Sequence, residues 1–313
     1  MMQGSHIRIG ARGSKLSRRQ AESVQKRVRA TNPDITCEIV IIETTGDRTL
    51  DRPLPEIGSK GLFTLEIEDA LRAGEIDLAV HSLKDLPTDP VPGIVIGAIS
   101  ERVAVTDSLI SRSGAGLLDL PEGATVGTSS HRRAAQLRRA RPDLRIESIR
   151  GNIDTRIRKT IDPDGPYDAS VLATAGLERL GLRGEATEEL VLELMLPAPG
   201  QGALAVQCRT DDDSLPLVDS IDDRAARLAT SAERAFLAGL GGGCSAPIAC
   251  YGRLNGNRLH LHGRLVSLDG TNQVDVISED DVQREADAIE LGTKLASDAL
   301  DRGAHVILQA GVT

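Results

Sequence analysis

The chain has 313 residues, enough for two or three domains, and 40% of them are hydrophobic, so ordinary cores can form. Aromatic residues are scarce, with two Phe, two Tyr and no Trp, which argues against single-stranded nucleic-acid binding by base stacking. The net charge of −9 also disfavours a general nucleic-acid binder, because such proteins are usually basic. No apolar run approaches about 18 residues, so no membrane-spanning helix and no membrane partner are expected.

The cysteines, the histidines and the first ten residues indicate whether the protein binds metal and where in the cell it is expected. Cys37, Cys208, Cys244 and Cys250 form no CxxC pair, and the six histidines are scattered, so neither a metal site nor a disulfide scaffold is indicated. Residues 1–10 lack the basic-then-apolar pattern of a signal peptide. A cytoplasmic protein is therefore expected.

The first part of the chain alternates strands with helices. Its predicted elements are a strand at 6–10, a helix from Ser14 to about Thr31, a strand at 38–42, a helix to about 73 and a strand at 77–80. Residues 44–60 lack periodicity and are typical of a functional or mobile loop. This order favours a mainly parallel sheet, which binds ligands beyond the carboxyl ends of its strands.

The second part repeats this organisation and a smaller third part follows. Extended segments at 91–105 and 195–202 indicate two crossings between α/β lobes, and the strand at 203–208 is expected to return to the first lobe. An acidic stretch at 210–223 is typical of a linker. The predicted domains are 1–101 with 201–221 (an α/β lobe), 102–200 (a second α/β lobe) and 222–313 (a small α+β domain).

Cations and hydroxyls recur at the predicted turns and helix starts. Helix N-termini favour anions, and arginine can grip a carboxylate or phosphate with two hydrogen bonds. Residues 131–159 alone hold nine Arg and one Lys against three carboxylates, although a solvated helix face would look similar. Two lobes with facing turns would form a cleft for a polyanion. The candidate residues are Arg12, Ser14, Lys60, Ser82, Lys84, Arg132, Arg133, Arg150 and Arg156.

Three further residues admit two interpretations each. Asp85, a carboxylate of the buried type among these cations, is either a salt-bridge partner or a catalytic acid–base. His81 is either a hydrogen-bonded structural residue or a catalyst. Cys244 lies on a glycine-rich loop, Leu240–Pro247, and is either a small structural thiol or a nucleophile that carries a group covalently.

These stretches resemble the porphobilinogen deaminase (hydroxymethylbilane synthase) family over nearly the whole chain. The resemblance lies in nine motifs that stand in the family's order: Ala11–Ser14, Thr45–Asp47, Gly58–Phe63, Ala79–Pro87, Val126–Arg133, Arg150–Arg156, Ala175–Gly181, Pro199–Ala203 and Gly242–Cys244. It implies two lobes like those of type-II periplasmic binding proteins. It also implies a transferase that joins four porphobilinogen molecules, with loss of ammonia, onto a dipyrromethane primer and then releases hydroxymethylbilane.

The resemblance assigns roles residue by residue. The dipyrromethane would be bound through a thioether to Cys244. Asp85, Arg12 and Lys84 would be catalytic. The cofactor would also contact Lys60, Ser82, Lys84, Asp85, Ser129, Arg132 and Arg133, and the substrate would contact Arg12, Ser14, Phe63, Arg150, Arg156, Arg179 and Gln201. The family also implies a monomer.

Two rival functions remain open at this point. A non-catalytic solute-binding or effector-sensing protein could have the same paired lobes, but it would need neither Asp85 nor Cys244. A phosphate- or RNA-binding protein could use the arginines of 131–159, but the acidic total and the lack of aromatics weigh against it.

Overall fold

The computed structural model describes residues 6–48, 64–210, 214–242 and 246–310. The chain divides into two compact units, Met1–Val103 with Gly202–Arg227, and Ala104–Gln201 with Leu228–Thr313. In the described residues the first unit contains one sheet and the second contains two. Each of the three sheets lies within one predicted domain, and the domain boundaries themselves stay a prediction.

The elements are numbered in chain order within the described residues. The strands are β1 His6–Arg12, β2 Thr36–Ile42, β3 Leu78–Ser82, β4 Ile94–Ile99, β5 Asp107–Ser111, β6 Thr125–Gly127, β7 Arg145–Glu147, β8 Ala169–Ala173, β9 Glu188–Leu190, β10 Leu204–Arg209, β11 Ile248–Asn255, β12 Arg258–Val266 and β13 Gln273–Asp281. The helices are α1 Lys15–Thr31, α2 Thr45–Arg48, α3 Leu65–Arg72, α4 His131–Ala140, α5 Ile153–Ile161, α6 Thr174–Arg179, α7 Leu215–Val218, α8 Arg224–Gly239, α9 Glu285–Asp301 and α10 Ala304–Ala310.

The sheet of the first unit has the order β2-β1-β3-β10-β4. Strands β2, β1 and β3 run parallel, whereas β10 is antiparallel to both of its neighbours. The buried face of α1, formed by Ala21, Val24 and Val28, packs in the same core as strand residues such as Ile9 and Val206. The predicted return of the chain to the first lobe through 203–208 is thus confirmed.

The second unit contains a sheet of the same design, with the order β7-β6-β8-β5-β9. Its three parallel strands are again followed in the sheet by one antiparallel strand, β5, which precedes them in sequence. Leu109, Val126, Leu137 and Val171 form its core. This repeated order confirms the predicted α/β fold with two lobes that each contain a mainly parallel sheet.

The third sheet, β11-β12-β13, is antiparallel and also belongs to the second unit. Helices α8 and α9 contribute Phe236 and Leu295 to a core that includes Leu261 of β12. Gly263 lies so close to the Phe236 ring that an added Cβ would collide with it, so the strand requires glycine there. The predicted α+β character of this region is confirmed.

The sequence patterns missed several elements. Strand β5 escaped because Asp107, Ser108 and Ser111 are polar although buried, which removes the alternation that marks a strand. The predicted linker at 210–223 contains the short helix α7, whose Leu217 and Val218 are buried. No helix in the described ranges is long and apolar enough to cross a membrane.

Candidate active site

Two parallel strands of the first sheet, β1 and β3, end side by side. Arg12 is the last residue of β1 and Ser82 is the last residue of β3. The backbone N–H of Arg12 donates to Ser17 Oγ at 3.0 Å, and Gln20 Nε2 donates to Ser82 Oγ at 2.8 Å. Both anchoring residues belong to α1, so this helix positions the two predicted site residues at one sheet edge.

The N-terminus of α1 lies at the same edge. Ser14 is its N-cap, as predicted, and Ser14 Oγ accepts a hydrogen bond from the backbone N–H of Ser17 at 3.2 Å. The capped helix start adds partial positive charge beside Arg12. Any contact of Ser14 with substrate stays a prediction.

Strand β3 continues into a short 3₁₀ turn, Leu83–Asp85, which carries two of the predicted catalytic side chains. Leu83 is buried and its N–H donates to the carbonyl of Ala203 at 3.1 Å, which anchors the turn. Lys84 is half-buried and Asp85 is exposed, so the expectation of a buried-type carboxylate is wrong. Within the described residues the Asp85 carboxylate has no hydrogen-bond or ion-pair partner.

His81 precedes this turn and is buried in the first unit. Burial, with a smaller effect from the positive charge of Arg12, lowers the pKa of His81 to about 4. Its Nε2 has no hydrogen-bond partner among the described residues. The imidazole is therefore neutral at pH 7, and its burial favours the structural interpretation over the catalytic one.

The parallel strands of the second sheet also end at one edge, and Ser129 and Ser130 follow β6 there. Ser129 Oγ donates to the carbonyl of Ile149 at 2.8 Å, which links the turn after β6 to the turn after β7. Ser130 is the N-cap of α4 and its Oγ accepts from the backbone N–H of Arg133 at 3.5 Å. Both hydroxyls thus shape the turn that begins the arginine-rich helix.

Arg132 and Arg133, in the first turn of α4, are buried and share one carboxylate. Arg132 Nη2 donates to Asp107 Oδ2 at 2.8 Å, and Arg133 Nη2 donates to Asp107 Oδ1 at 2.6 Å. Burial lowers the pKa of Arg132, Asp107 opposes that shift, and the adjacent Arg133 adds to it. The cluster carries one net positive charge, and Arg133 Nε is buried without a hydrogen-bond partner among the described residues.

Two more predicted arginines lie where β7 leads into α5. Arg156 Nε donates to the carbonyl of Gly151 at 2.7 Å, and Lys159 Nζ donates to the carbonyl of Arg150 at 3.2 Å. Gly151 has φ +117, which strains any residue with a Cβ. The Arg150–Gly151 turn therefore needs its glycine in order to place both half-buried guanidinium groups at the sheet edge.

Arg179 ends α6, the helix that follows β8. Burial lowers the pKa of Arg179 to about 10, with a smaller opposing effect from Glu178. The side chain therefore remains a cation at pH 7 although it has lost much of its hydration, which strengthens its attraction for an anion.

Gln201 is wholly buried in the second unit. Its Nε2 donates to the carbonyls of Val105 and Thr106 at 2.7 and 3.1 Å and to Asp107 Oδ1 at 3.1 Å. The predicted contact of Gln201 with substrate is thus not visible in the described residues and stays a prediction.

Sequence reasoning missed two buried acids, Asp107 and Glu233. Asp107 gives no local signal, because its partners are distant in sequence. Glu233 gives one, since it lies four residues after the buried Ala229 and three before the buried Phe236. An acid on the apolar face of a helix indicates a specific buried partner. Lys60, Phe63 and Cys244, with most of the loop predicted at 44–60, lie outside the described residues.

The described donors fit a ligand with several carboxylates. Each unit presents cations or capped helix starts at the carboxyl edge of its parallel strands, and the orphaned Nε of Arg133 adds an unused buried donor. No group of His, Cys, Asp and Glu in the described ranges is arranged to hold a metal ion. Fold and site together define an α/β protein that binds a polyanion.

Comparison with known proteins identifies the family to which this polyanion-binding α/β protein is similar. Residues 7–216 match the dipyrromethane cofactor binding domain of porphobilinogen deaminase, and residues 227–301 match the C-terminal domain of the same family. Porphobilinogen deaminase of Roseiflexus sp. (strain RS-1) is 46% identical over 301 residues, covering 96% of this chain and 97% of the relative. That of Paracoccus denitrificans (strain Pd 1222) is 47% identical over 299 residues, covering 95% and 94%.

Solved structures show a more distant likeness. The methionine-binding protein MetQ is 15% identical with a TM-score of 0.41, covering 69% of this chain and 88% of MetQ. The OxyR2 regulatory domain from Vibrio vulnificus is 15% identical with a TM-score of 0.39, covering 71% and 95%.

The chain belongs to the porphobilinogen deaminase family. It is a transferase of tetrapyrrole biosynthesis, and its cofactor is dipyrromethane. The resemblance noted in the nine sequence motifs is thereby confirmed.

Proposed function

We propose that Asp85 is the acid–base group of this deaminase and that the strand-edge cations of each unit hold the carboxylates of the growing pyrrole chain. The observation that carries the proposal is the exposed carboxylate of Asp85, which has no partner among the described residues and lies beside Lys84 in the turn that follows β3. An acid that satisfies no structural partner remains available for chemistry.

The substrate, porphobilinogen, carries an acetate, a propionate and an aminomethyl group on one pyrrole ring. When the protonated amine leaves as ammonia, positive charge develops on the ring and its exocyclic carbon. The Asp85 carboxylate stabilises that cation and accepts a hydrogen bond from the pyrrole N–H. After the new carbon–carbon bond forms, Asp85 takes the proton that the attacked ring carbon loses.

The cations of each unit bind the acetate and propionate groups. In the first unit these are Arg12 and Lys84, with Ser14 and Ser82 beside them, and Lys60 is added from sequence alone. In the second unit they are the arginine pair Arg132–Arg133 with Arg150, Arg156 and Arg179, assisted by Ser129. Phe63, from sequence alone, completes the proposed substrate contacts.

Cys244 is proposed to hold dipyrromethane through a thioether. When bound, the cofactor would supply the free pyrrole carbon to which the first substrate is joined, and the thioether to Cys244 would retain it after release of hydroxymethylbilane. The glycines before Cys244 suit this role, since Gly241 has φ +64 and an added Cβ on Gly242 would collide with Ile248.

We further propose that the enzyme acts as a monomer in the cytoplasm, with no nucleic-acid or membrane partner. The charge of −9 supports the absence of nucleic acid. Light scattering of the purified chain should give a mass near 33.2 kDa, and a dimer mass would contradict the monomer.

The test of the proposed function is incubation with porphobilinogen, followed by oxidation of the product to a coloured porphyrin. Wild type should yield porphyrin absorbance and release one ammonia for each porphobilinogen consumed. The Asp85→Ala variant should remain folded and give neither at a comparable rate. Binding of porphobilinogen by wild type without ammonia release would instead support the rival solute-binding function.

A further inference from the structure

Three buried polar side chains of the second unit, Asp107, Gln201 and Glu233, belong to one hydrogen-bond network, in which Gln201 and Glu233 are joined through the backbone of Gly200. Asp107, Gln201 and Glu233 each have 0% of their surface exposed. Buried polar groups are retained when they satisfy one another, and such networks favour one arrangement of the surrounding backbone.

At one end of this hydrogen-bond network, Asp107 binds the arginine pair Arg132 and Arg133. Each Asp107 oxygen accepts from a different guanidinium, and Arg132 Nη1 and Arg133 Nη1 donate to the carbonyls of Leu196 and Val171 at 2.7 and 3.1 Å. Two adjacent cations in the first turn of a helix repel each other and the helix dipole. Asp107 offsets both effects and fixes the orientation of both side chains.

The middle of the hydrogen-bond network is formed by residues 197–201, which belong to the predicted crossing at 195–202. Gln201 Nε2 donates to Asp107 Oδ1, and the neighbouring Gly200 N–H donates to Glu233 Oε2 at 2.7 Å. Gly200 has φ +76, so its N–H can turn toward Glu233 while the next side chain turns toward Asp107.

At the other end of the network, Glu233 and Pro197 bind β11, the strand that follows Cys244 in sequence. Glu233 Oε1 accepts from the N–H of Gly252 at 2.7 Å, and the carbonyl of Pro197 accepts from the N–H of Cys250 at 3.0 Å. Both of these amides belong to β11, which begins four residues after Cys244. Glu233 itself lies on α8, which ends five residues before Cys244.

We propose that Asp107, Gln201 and Glu233 are positioning residues, which hold the arginine pair at a fixed spacing from the two elements that flank Cys244. This inference rests on the proposed function. A primer tethered at Cys244 and bound through its carboxylates at Arg132 and Arg133 has a fixed covalent length. Its two anchorage points must therefore keep a constant separation, within about 0.5 Å for a precise site.

The first test needs no cofactor and no activity. In the Cys244→Ser chain, Gln201→Met keeps the side-chain size and removes the amide that donates to Asp107 and to the carbonyls of Val105 and Thr106. Amide exchange across 248–252 should become about fivefold faster, as expected for the loss of one net hydrogen bond, while exchange across 285–301 stays unchanged. Ser231→Ala removes a different hydrogen bond of α8, the one to Glu285, and is the matched control.

If the amide exchange rates at 248–252 are equal in Gln201→Met and in the Cys244→Ser parent, Gln201 does not help to hold β11, and the proposal is overturned. Faster exchange everywhere would also overturn it, because general destabilisation then explains the effect. Glu233→Gln, which replaces one acceptor oxygen by a donor amide, is the second variant if Gln201→Met fails to fold. It should accelerate exchange at Gly200 and across 248–252 by a similar factor.

The second test uses the holoenzyme with native Cys244. Intact mass gives the fraction of chains that carry dipyrromethane, and rates are expressed per loaded chain. Gln201→Met should lower kcat about tenfold or more, since misplacement by about 1 Å can cost a hundredfold, while KM changes less than about twofold. A normal kcat per loaded chain would contradict positioning. A wild-type chain without the two-ring mass would instead contradict the proposed function, whatever the exchange results.

Discussion

Arg133 Nη2 and Asp107 Oδ1 lie 2.6 Å apart inside the second unit, and Asp107 is wholly buried. Because Arg132 occupies the other oxygen, one carboxylate holds two adjacent guanidinium groups. Breaking a buried pair leaves an uncompensated charge, whereas loss of an exposed pair costs little. The stability of the arginine helix therefore depends on Asp107.

Asp107→Asn should lower the free energy of unfolding by about 3–5 kcal/mol, because two buried cations would remain without an anion. Denaturant unfolding followed by circular dichroism measures the change. Glu22→Gln, which breaks the exposed pair of Arg19 and Glu22 on α1, is the control and should change the unfolding free energy little. Equal effects of the two substitutions would contradict the importance of the buried cluster.

Much of the fold follows from the sequence because local patterns record it. The helix predicted from Ser14 to about Thr31 agrees with α1, which Ser14 caps and which ends at Thr31, and the strand predicted at 203–208 agrees with β10 to within one residue at each end. Strand β5 was missed because its Asp107 is stabilised by partners at positions 132, 133 and 201, which no local pattern reveals.

Arg156→Gln should raise KM for porphobilinogen about tenfold or more, because a charge-assisted hydrogen bond to a carboxylate is lost. Arg158→Gln makes the same charge change on the same helix, α5, at an exposed position, and it should leave KM close to wild type. Steady-state kinetics at fixed ionic strength measures both. A similar rise in the two variants would indicate a general charge effect rather than a binding contact.

Asp85→Asn should lower kcat by about a hundredfold or more, the usual contribution of a positioned acid–base group. Thermal unfolding should be unchanged, since the Asp85 side chain is exposed and unpaired among the described residues. Asp89→Asn, four residues further on and also exposed, is the matched control and should retain wild-type kcat. Turnover of Asp85→Asn near the wild-type rate would remove Asp85 from its proposed role.

His81 gives the protein a stability that depends on pH. The pKa of its imidazole is about 4 in the folded protein and 6.5 in the unfolded chain, so the unfolded chain binds a proton first as pH falls. The stabilisation is complete above pH 6.5 and is lost progressively between pH 6.5 and pH 4. The total loss is about 3 kcal/mol, at about 1.4 kcal/mol for each pH unit.

The measurement is the free energy of unfolding at several values of pH between 4 and 7. His81→Gln, whose side chain does not titrate, should show a flatter slope than wild type in this window. His305→Gln, at an exposed position, is the control and should keep the wild-type slope. An unchanged slope in His81→Gln would mean that other groups set the pH dependence.

The residues of the candidate site could be predicted from the sequence, but the contacts that position them could not. Arg12, Ser82 and Arg150 stand at strand ends in the sequence and are found at the sheet edges. What holds them could not be predicted, because each contact joins distant residues, as Gln20 joins Ser82 across 62 positions. The exposure of Asp85 was also unpredictable, since it depends on how the 3₁₀ turn leaves the strand.

The central claim is that Cys244 carries a dipyrromethane primer, and the intact mass of the purified chain tests it most directly. Wild type should exceed the mass of the bare chain by two pyrrole units with their acetate and propionate groups, and Cys244→Ser should show the bare mass and no turnover. Wild-type protein that is active on porphobilinogen and has the mass of the bare chain would contradict the claim.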